Sequence, residues 1–423
     1  MPYVSAIICT LDRSDDLRDA LRALVAQTYP PEMFEIVVVD NGSKDDTPSV
    51  VAEFAANSGA RVRYIVEPIQ GLSQARNTGA RAAAGEVIAY TDDDAIPQPN
   101  WLTALADAFQ RYDDLGAAGG PIDPLWLPER PAWFPPQCTG LLGAMDEGPH
   151  FRWLTFPECP WGPNIALRKE AHERAGGFYT GLGLVGTHLA LHEEPDLCHR
   201  IQSLGYRMAY TPRARVQHKM RADKVNKGYL RRWCWARGTG HVVLYLRTGY
   251  WLASDLALEG LHALKQALEL WQKARITARS DPREALSAEW ETYSRAGLAA
   301  ESLRQLVPRS RIAAAMQTVP DTLASLGEEE AAEYPNTLLA ELVEAYQKTI
   351  PPGHMPSIET SKYQQEINAL SSGISLRVSL ATARAELRKG HIIGATSVAM
   401  RAICSSLSQA AWRKATRLSR RTS

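Results

Sequence analysis

The first 120 residues alternate short apolar runs with amphipathic segments, and this alternation constrains the fold more than any other feature of the chain. The apolar runs have the length of buried strands and cover residues 4–9, 35–39, 62–66 and 87–90. The amphipathic segments have helical spacing and cover residues 12–27, 47–57, 73–84 and 101–112. Strands that alternate with helices in this way form a parallel sheet covered by helices. The sequence therefore predicts an α/β fold.

Polar side chains stand at the ends of three of these predicted strands. They are Thr10, Asp40 and the run Asp92-Asp93-Asp94. Ligands of parallel α/β sheets bind beyond the carboxyl ends of the strands, so these side chains are expected to border a ligand site. Three adjacent carboxylates repel one another, and a hard divalent metal bound to substrate phosphates would offset their charge. A solvated acidic turn is the alternative that this run alone leaves open.

The composition excludes several classes of protein. Lys plus Arg and Asp plus Glu both number 47, which argues against a dedicated nucleic-acid-binding protein. No apolar run reaches the about 18 residues of a membrane span. The N-terminus lacks the basic segment and cleavage site of a signal peptide. The six cysteines form no C-x-x-C pair, which favours a reducing compartment, and we expect a cytoplasmic protein.

A segment rich in proline and tryptophan follows the alternating region, at residues 121–163. It shows no clear period and carries Trp126, Trp133, Trp153 and Trp161. Two interpretations stay open. These aromatic rings are either packed in a core or form a wall on which the apolar faces of sugar rings pack.

Five stretches occur in order and at spacings that resemble a known enzyme family. They are SAIICTLDRSDDL from residue 5, EIVVVDNGSKDDT from residue 35, GLSQARNTGARAAAGEVIAYTDDDAIPQPNWL from residue 71, GPNIALRKEAHERAGGF from residue 162, and HEEPDLCHRIQSLGYRMAYTPRARVQH from residue 192. Together they closely resemble family 2 of the glycosyltransferases over about residues 3–240. The resemblance implies a GT-A fold, in which a Rossmann-like sheet binds the nucleotide of a nucleoside-diphosphate sugar.

The resemblance implies a role for each residue that matches the donor site of the family. Thr10 and Asp12 would border the nucleotide base. Asp40 would accept a hydrogen bond from the base, which favours uracil or thymine, and Arg76 would support the nucleotide pocket.

The acidic run and one histidine would complete this donor site. Asp92 would face the ribose, and Asp93 is assigned to the same nucleotide site. Asp94 would bind a divalent metal, Mn²⁺ or Mg²⁺, on the diphosphate. His218 would be a further metal or diphosphate contact, although a histidine of the core or surface is its alternative.

The catalytic base of the family is the Asp of a Glu-Asp-x-Asp motif, and the matching stretch here is Glu193-Glu194-Pro195-Asp196. Glu194 therefore stands where Asp is usual, and His192 stands where Gly is usual. The resemblance implies that Glu194 deprotonates the acceptor hydroxyl in a single inverting displacement. Its side chain is one methylene longer than that of Asp.

Further candidates would contact the acceptor or the diphosphate. They are Trp161, Asn164, Glu193, Arg232 and Trp233. Arg232-Trp233 resembles the end of the Q-x-x-R-W motif of processive sugar polymerases. Tyr229 replaces the Gln, and the membrane spans of those enzymes are missing, which favours a non-processive enzyme.

Basic residues dominate two parts of the second half. Residues 207–237 contain ten Lys or Arg and a single acid, Asp223. This stretch is either a solvated helix face or attracts the diphosphate, a phosphorylated acceptor or an anionic membrane surface. The tail from Ala411 is also basic, so peripheral contact with the cytoplasmic membrane face is a second expectation for the location of the protein.

The chain is expected to have three regions. Residues 1–223 would be the GT-A catalytic domain, residues 224–310 a helical extension, and residues 311–423 a helical region of unknown role, in which Pro320 and Pro335 predict loops.

The predicted function is transfer of a sugar, of the hexosyltransferase type, to a glycan or lipid-linked acceptor in surface polysaccharide or glycoconjugate synthesis. A sugar-nucleotide nucleotidyltransferase and a catalytically inactive sugar-nucleotide-binding protein are the alternatives.

Overall fold

The computed structural model describes residues 1–127, 129–185, 188–308 and 311–349. The basic tail from Ala411 lies outside the described residues.

The first 120 residues fold as their alternation predicts. The strands are β1 (Val4–Thr10), β2 (Phe34–Asp40), β3 (Arg61–Val66), β4 (Val87–Asp92) and the short β5 (Ala95–Pro97). The helices are α1 (Ser14–Val25), α2 (Thr47–Asn57), α3 (Leu72–Ala82) and α4 (Trp101–Arg111). The strands β3, β2, β1 and β4 lie in that order and are parallel.

Helices cover this sheet on both faces, which explains why its strands read as continuous apolar runs. Successive side chains of a strand point to opposite faces. Ile8 accordingly packs with the apolar residues of α1, α2 and α4, whereas Ile7 packs with those of α3. Both side chains are fully buried. A strand that is buried on both faces loses the polar alternation of a half-exposed strand.

Later strands enlarge the sheet. They are β6 (Leu115–Gly119), β7 (Ile122–Leu127), β8 (Arg152–Leu154), β9 (Ile165–Arg168), β10 (Gly183–Val185), β11 (His188–Ala190), β12 (Arg207–Tyr210) and β13 (Val216–Arg221). The large sheet has the order β3-β2-β1-β4-β9-β6-β12-β8, with β9 antiparallel to both of its neighbours. A second sheet has the order β5-β13-β7, and β10 pairs with β11. Two helices, α5 (Lys169–Arg174) and α6 (Glu193–Ser203), lie between these strands in the chain.

The helical period after residue 224 predicts the helices that follow the sheets. They are α7 (Lys227–Arg247), α8 (Leu256–Thr277), α9 (Pro282–Leu306), α10 (Arg311–Ser325) and α11 (Glu328–Thr349). Helices α7 and α9 approach closely where each carries a glycine. A Cβ at Gly238 would collide with the backbone oxygen of Ser294, and one at Gly297 with that of Trp235.

The loops predicted at Pro320 and Pro335 are wrong, because these prolines lie inside α10 and α11. A proline inside a helix costs about 3 kcal/mol. Neighbouring side chains such as Val319, Leu338 and Leu339 are buried in the same helical core, and their burial offsets that cost.

Aromatic packing explains three of the four tryptophans of the segment 121–163. Trp126 and Trp133 pack against the helical core through the ring of Phe134. Trp153 packs against the sheet core and makes edge contacts with aromatic neighbours. Trp161 differs because it is 36% exposed. A sugar-binding wall therefore remains an interpretation for Trp161 alone.

Candidate active site

The acidic run lies at the point where the strand order of the sheet reverses. Strand β1 has β2 on one side and β4 on the other, so a crevice opens beyond the carboxyl ends of β1 and β4. The register pairs Cys9 of β1 with Asp92 of β4. Thr10 follows Cys9, and its hydroxyl donates to Oδ2 of Asp93 over 2.8 Å. Thr10 and the three carboxylates thus come together, as their places in the sequence predict.

Asp94 is buried among basic groups. Its Oδ2 accepts hydrogen bonds from Arg13 at 2.8 Å and from Lys224 at 2.7 Å. Its Oδ1 lies 3.0 Å from Nε2 of His218. Burial by itself would raise the pKa of Asp94, but Lys224, His218 and Arg13 outweigh it and hold that pKa well below its usual range.

The neighbouring carboxyl group of Asp93 has the opposite shift. Burial, followed by the charge of Asp94, raises the pKa of Asp93 to about 7. Only the side chain of Asp92 keeps substantial exposure, at 31%. Asp92 is therefore the carboxylate of the run that is most open to a ligand.

The donor atoms of this cluster fit a hard divalent cation. Asp92, Asp94 and His218 each offer a ligand atom, and these atoms all lie within 4.8 Å of one another. Two carboxylate oxygens and one imidazole nitrogen suit Mn²⁺ or Mg²⁺ better than a soft metal. Strand β13 brings the histidine there, because its register pairs His218 with Ala95, next to Asp94.

At the carboxyl end of β2, the side chain of Asp40 is hydrogen-bonded within the turn that follows the strand. Its Oδ1 accepts from the backbone N–H groups of Gly42 at 3.1 Å and Ser43 at 2.7 Å. Its Oδ2 accepts from the hydroxyl of Tyr64. Gly42 has a φ of 96°, in the left-handed region that favours glycine, so the turn can present both donors to one oxygen.

Asp12, in the loop after β1, forms hydrogen bonds with the loop after β2. Its Oδ1 accepts from the backbone N–H of Lys44 at 2.6 Å, and its own N–H donates to the hydroxyl of Ser43 at 2.9 Å. The loop after β1 is thereby fastened to the loop after β2. Asp12 and Asp40 therefore lie in neighbouring loops.

Arg76 links the acidic run to the motif that carries the candidate base. It lies on α3, is 2% exposed, and donates to Glu194 at 2.9 Å and to Glu193 at 3.2 Å. Its other terminal nitrogen lies 3.6 Å from Asp92. A single buried guanidinium therefore faces three carboxylates.

The two glutamates of this motif differ in exposure. They open α6, and the side chain of Glu193 is 8% exposed against 15% for Glu194. Burial, followed by the charge of Glu194, raises the pKa of Glu193 to about 8 although Arg76 opposes this shift. Glu193 therefore holds a proton at neutral pH. Glu194 is the more accessible of the two and the closer to Arg76.

The structure explains why a glycine is usual at the position of His192. His192 has a φ of 84°, in the left-handed region. Its Nε2–H donates to the backbone oxygen of Arg237 at 3.0 Å, and its ring stacks on that of His241 with centroids 4.3 Å apart. Burial lowers the pKa of His192 to about 4, so the ring is neutral at physiological pH. These contacts of a neutral ring offset the backbone strain and fix the start of α6.

The segment 161–164 passes beside the glutamates, and a small residue is required there. A Cβ on Gly162 would collide with Oε1 of Glu194 and with the guanidinium of Arg76. Trp161 precedes this glycine and is partly exposed. Trp161 therefore lies next in the chain to a residue that contacts Glu194 and Arg76.

The assignment of Asn164 to the acceptor or diphosphate needs correction. Asn164 is fully buried, and its amide group donates to the backbone oxygens of Pro121 and Ala214 at 3.1 and 2.7 Å. Its Oδ1 accepts from the indole of Trp101 at 2.8 Å. These interior contacts use the side chain of Asn164 to hold the start of β9 in place.

Arg232 and Trp233 lie on α7, and their assignment to the acceptor or diphosphate stays a prediction. Trp233 stacks on Tyr229 with ring centroids 6.1 Å apart.

Two residues that contact the acidic run, Arg13 and Lys224, were not predicted from the sequence. The signal for Arg13 was its place just after β1. Lys224 was counted in the basic stretch 207–237 without a specific role.

Most of the basic stretch is paired with acids from distant parts of the chain. Arg207 bonds to Asp114, and Lys219 bonds to Asp16 and Asp19. Further pairs have the same character, and they are Arg213 with Asp107, Arg215 with Asp123 and Asp146, Arg221 with Asp16, Lys224 with Asp94, Arg231 with Glu289, and Arg237 with Glu291. The stretch is therefore far less positive in the fold than in the linear sequence.

Together, the sheet and the acidic crevice at its switch point define an α/β protein of the Rossmann-like type. Three comparisons with known proteins define the class further.

The family model "Glycosyl transferase family 2" matches residues 5–173. The glucosyl-dolichyl phosphate glucuronosyltransferase of Haloferax volcanii is 31% identical over 221 residues, which are 51% of this chain and 69% of that protein. The validoxylamine A glucosyltransferase of Streptomyces hygroscopicus subsp. limoneus is 30% identical over 213 residues, which are 43% of this chain and 46% of that protein. The solved structure of mannosyltransferase PcManGT from Pyrobaculum calidifontis, in complex with GDP-Man and Mn²⁺, has a TM-score of 0.45 and 21% identity over 82% of this chain and 87% of that chain.

The chain belongs to family 2 of the glycosyltransferases. It is an enzyme that transfers a sugar, and its nucleotide-binding sheet has the GT-A fold. Among the residues that the structure describes, no helix combines the length and the apolar character needed to cross a membrane.

Proposed function

We propose that this chain is a non-processive, inverting glycosyltransferase of the hexosyltransferase type with a UDP-sugar or dTDP-sugar donor. The observation that carries the proposal is the position of Arg76, between Asp92 at 3.6 Å and Glu194 at 2.9 Å. Because one guanidinium touches both, a donor at the strand ends and an acceptor hydroxyl at Glu194 would lie next to each other. Such proximity is what a direct displacement requires.

In this mechanism Glu194 takes the proton of the acceptor hydroxyl. The hydroxyl oxygen then forms a bond to the anomeric carbon as the bond from that carbon to the nucleoside diphosphate breaks. A single displacement of this kind inverts the configuration of the sugar. Arg13 and Lys224, which contact Asp94, are placed to turn toward the departing diphosphate.

Asp92, Asp94 and His218 would hold Mn²⁺ or Mg²⁺, which supplies positive charge to the diphosphate when bound. Nε2 of His218 lies 3.0 Å from Oδ1 of Asp94, and its buried Nδ1 has no hydrogen-bond partner among the described residues. Thr10, Asp12, Asp40 and Asp93 border the nucleotide in this proposal.

The acceptor is a glycan or a lipid-linked glycan, and the product enters a surface polysaccharide or glycoconjugate. The name of the Haloferax volcanii relative, which acts on a glucosyl-dolichyl phosphate, supports a lipid-linked acceptor. We place the enzyme in the cytoplasm, where it would meet such an acceptor at the cytoplasmic membrane face. The ion pairs of the basic stretch leave less positive charge for that contact than the linear sequence implies.

A catalytically inactive sugar-nucleotide-binding protein is the second candidate, and one observation favours it. Glu194 accepts a hydrogen bond from Arg76 at 2.9 Å, so the candidate base must leave or share that contact before it takes a proton. Such a protein would bind nucleotide without turnover.

A donor panel tests the proposal. The full chain is incubated with UDP-, dTDP- and GDP-sugars and Mn²⁺, and release of the nucleoside diphosphate is measured, with titration calorimetry of the three nucleotides beside it. We expect turnover and the tightest binding with the uracil or thymine nucleotide. Tighter binding of GDP contradicts the donor assignment, binding without release indicates the inactive protein, and release of pyrophosphate indicates a nucleotidyltransferase.

A further inference from the structure

Tyr64 makes a contact that none of the proposed catalytic steps uses. It lies on β3, the edge strand, where the register pairs it with Val38 of β2. Its hydroxyl donates to Oδ2 of Asp40, two positions further along β2. Tyr64 is 38% exposed, whereas Asp40 is 2% exposed. The tyrosine therefore reaches the solvent at a place where the carboxylate is nearly covered.

The contact with Tyr64 changes how many hydrogen bonds Asp40 can still accept. An ionised carboxylate has about four lone-pair positions, two on each oxygen. The backbone donors of Gly42 and Ser43 take both positions of Oδ1. The hydroxyl of Tyr64 takes one position of Oδ2. Among the donors of the described residues, these three leave a single acceptor position of Asp40 for a ligand.

We propose that Tyr64 is a specificity-determining residue that selects a pyrimidine nucleotide by restricting Asp40 to one acceptor position. This inference rests on the proposed function, in which Asp40 faces the nucleotide base. Uracil and thymine present one imide N–H, which a single acceptor satisfies. Guanine presents a ring N–H and an amino group side by side, so one of its donors would be left without a partner. Leaving a desolvated donor unpaired is costly, and a site rejects such a ligand.

The protonation of Tyr64 agrees with this role. Burial, followed by the hydrogen bond and the charge of Asp40, raises the pKa of Tyr64 above its usual value. The hydroxyl therefore keeps its proton at neutral pH and acts as a donor toward Asp40.

The test is the variant Tyr64→Phe, which keeps the ring and removes only the hydroxyl. UDP, dTDP and GDP are titrated into the full chain by calorimetry in the presence of Mn²⁺. Because Oδ2 of Asp40 then has two free positions, we expect GDP to bind about tenfold more tightly, as one added hydrogen bond to a charged group allows. UDP should change by less than about threefold, since it needs only one acceptor.

A matched control separates this effect from the general loss of a hydroxyl. Tyr206→Phe removes a hydroxyl that donates to the exposed Glu170 at 3.2 Å, beside α5. It should leave the ratio of UDP to GDP affinity unchanged. Thermal unfolding of both variants verifies that the fold is intact.

The outcomes distinguish failure of the inference from failure of the proposed function. An unchanged ratio of UDP to GDP affinity in Tyr64→Phe overturns the inference, as does a loss of UDP binding without a gain for GDP. Asp40→Asn tests the assignment beneath it, because an amide cannot present the same acceptors. If Asp40→Asn leaves UDP affinity unchanged, Asp40 does not face the base and the donor assignment itself fails. If Asp40→Asn weakens UDP binding while Tyr64→Phe has no effect, only the inference fails.

Discussion

The two ends of the crevice contain the same chemical group in opposite electrostatic settings. At the donor end, Asp94 has three basic partners, and its pKa is held well below the usual range. At the acceptor end, Glu193 and Glu194 share Arg76, and the pKa of Glu193 is raised to about 8. Burial raises the pKa of both carboxyl groups, Asp94 and Glu193, and only at Asp94 do the neighbouring basic groups outweigh it. A permanent charge suits the binding of a metal and diphosphate, and a site that exchanges protons suits the acceptor.

The largest expected effect is a loss of chemical rate from a change at the acceptor end that leaves the donor end intact. Glu194→Gln keeps the size of the side chain but cannot take a proton, so we expect the chemical rate to fall by about 10²–10⁴-fold with donor affinity nearly intact. Single-turnover kinetics and calorimetric titration of the donor nucleotide measure the two quantities separately.

Glu193→Gln is the matched variant at the neighbouring position. Because Glu193 already holds a proton at neutral pH, its amide should support a rate within about tenfold of the unchanged enzyme. If Glu193→Gln is inactive and Glu194→Gln is active, Glu193 is the base. If neither variant loses activity, the base lies elsewhere.

A smaller effect on rate, joined to a loss of binding, is expected at the donor end. Asp94→Ala removes a metal ligand, so nucleotide affinity in Mn²⁺ should fall by about tenfold or more together with turnover. The same titration without metal should show little difference between the variant and the unchanged chain. Equal nucleotide affinities in the presence of Mn²⁺ would remove Asp94 from the metal site.

The smallest effect concerns the pH dependence of the free energy of unfolding. It tests whether Glu193, unlike Asp94, keeps its proton in the fold. The folded pKa of Glu193 is about 8, above the about 4.3 of an unfolded glutamate. Between these values the folded chain holds a proton that the unfolded chain has lost. This contribution to the free energy of unfolding therefore falls as pH rises through the window, by at most about 1.4 kcal/mol per pH unit.

Urea unfolding at pH 5, 6, 7 and 8 measures this slope. Glu193→Gln should show a shallower fall in stability with pH than the unchanged chain, since its amide does not titrate. Glu170→Gln, on the exposed side of α5, controls for the loss of one carboxylate. Parallel pH profiles for the Glu193→Gln variant and the unchanged chain would show that Glu193 does not hold its proton in the fold.

The sequence predicts the placement of Thr10, Asp40 and Asp92 at neighbouring strand ends, because each strand and its last residue can be identified from a short stretch of sequence. Thr10, Asp40 and Asp92 each end a strand, and parallel strands bring their carboxyl ends to one edge. The assignment of Asn164 to the acceptor or diphosphate needed correction for the opposite reason, because its contacts come from distant parts of the chain. It occurs in a motif that resembles the family, but only the fold shows that its amide is used by Trp101, Pro121 and Ala214. A motif identifies a required residue without saying whether the residue binds a ligand or supports the sheet.

Charge patterns were the least predictable feature. Residues 207–237 contain ten basic residues and one acid, yet partners such as Asp16, Asp114 and Glu289 come from segments far away in the chain. A count along the sequence detects charges but not their pairing, because ion pairs form between segments that only the fold brings together. The assignment of Lys224 to Asp94 could not have been made from the stretch itself.

The strand β13 has a consequence for the synthesis of this protein on the ribosome. The match to the family model ends at residue 173. His218 and Lys224, which contact Asp94, lie 124 and 130 residues after Asp94 in the sequence. A nascent chain that ends at residue 173 would contain every aspartate of the acidic run without these partners. We expect such a chain to lack metal affinity and to expose the edge where β13 pairs with β5. The donor site is therefore complete only after more than half of the polypeptide has left the exit tunnel.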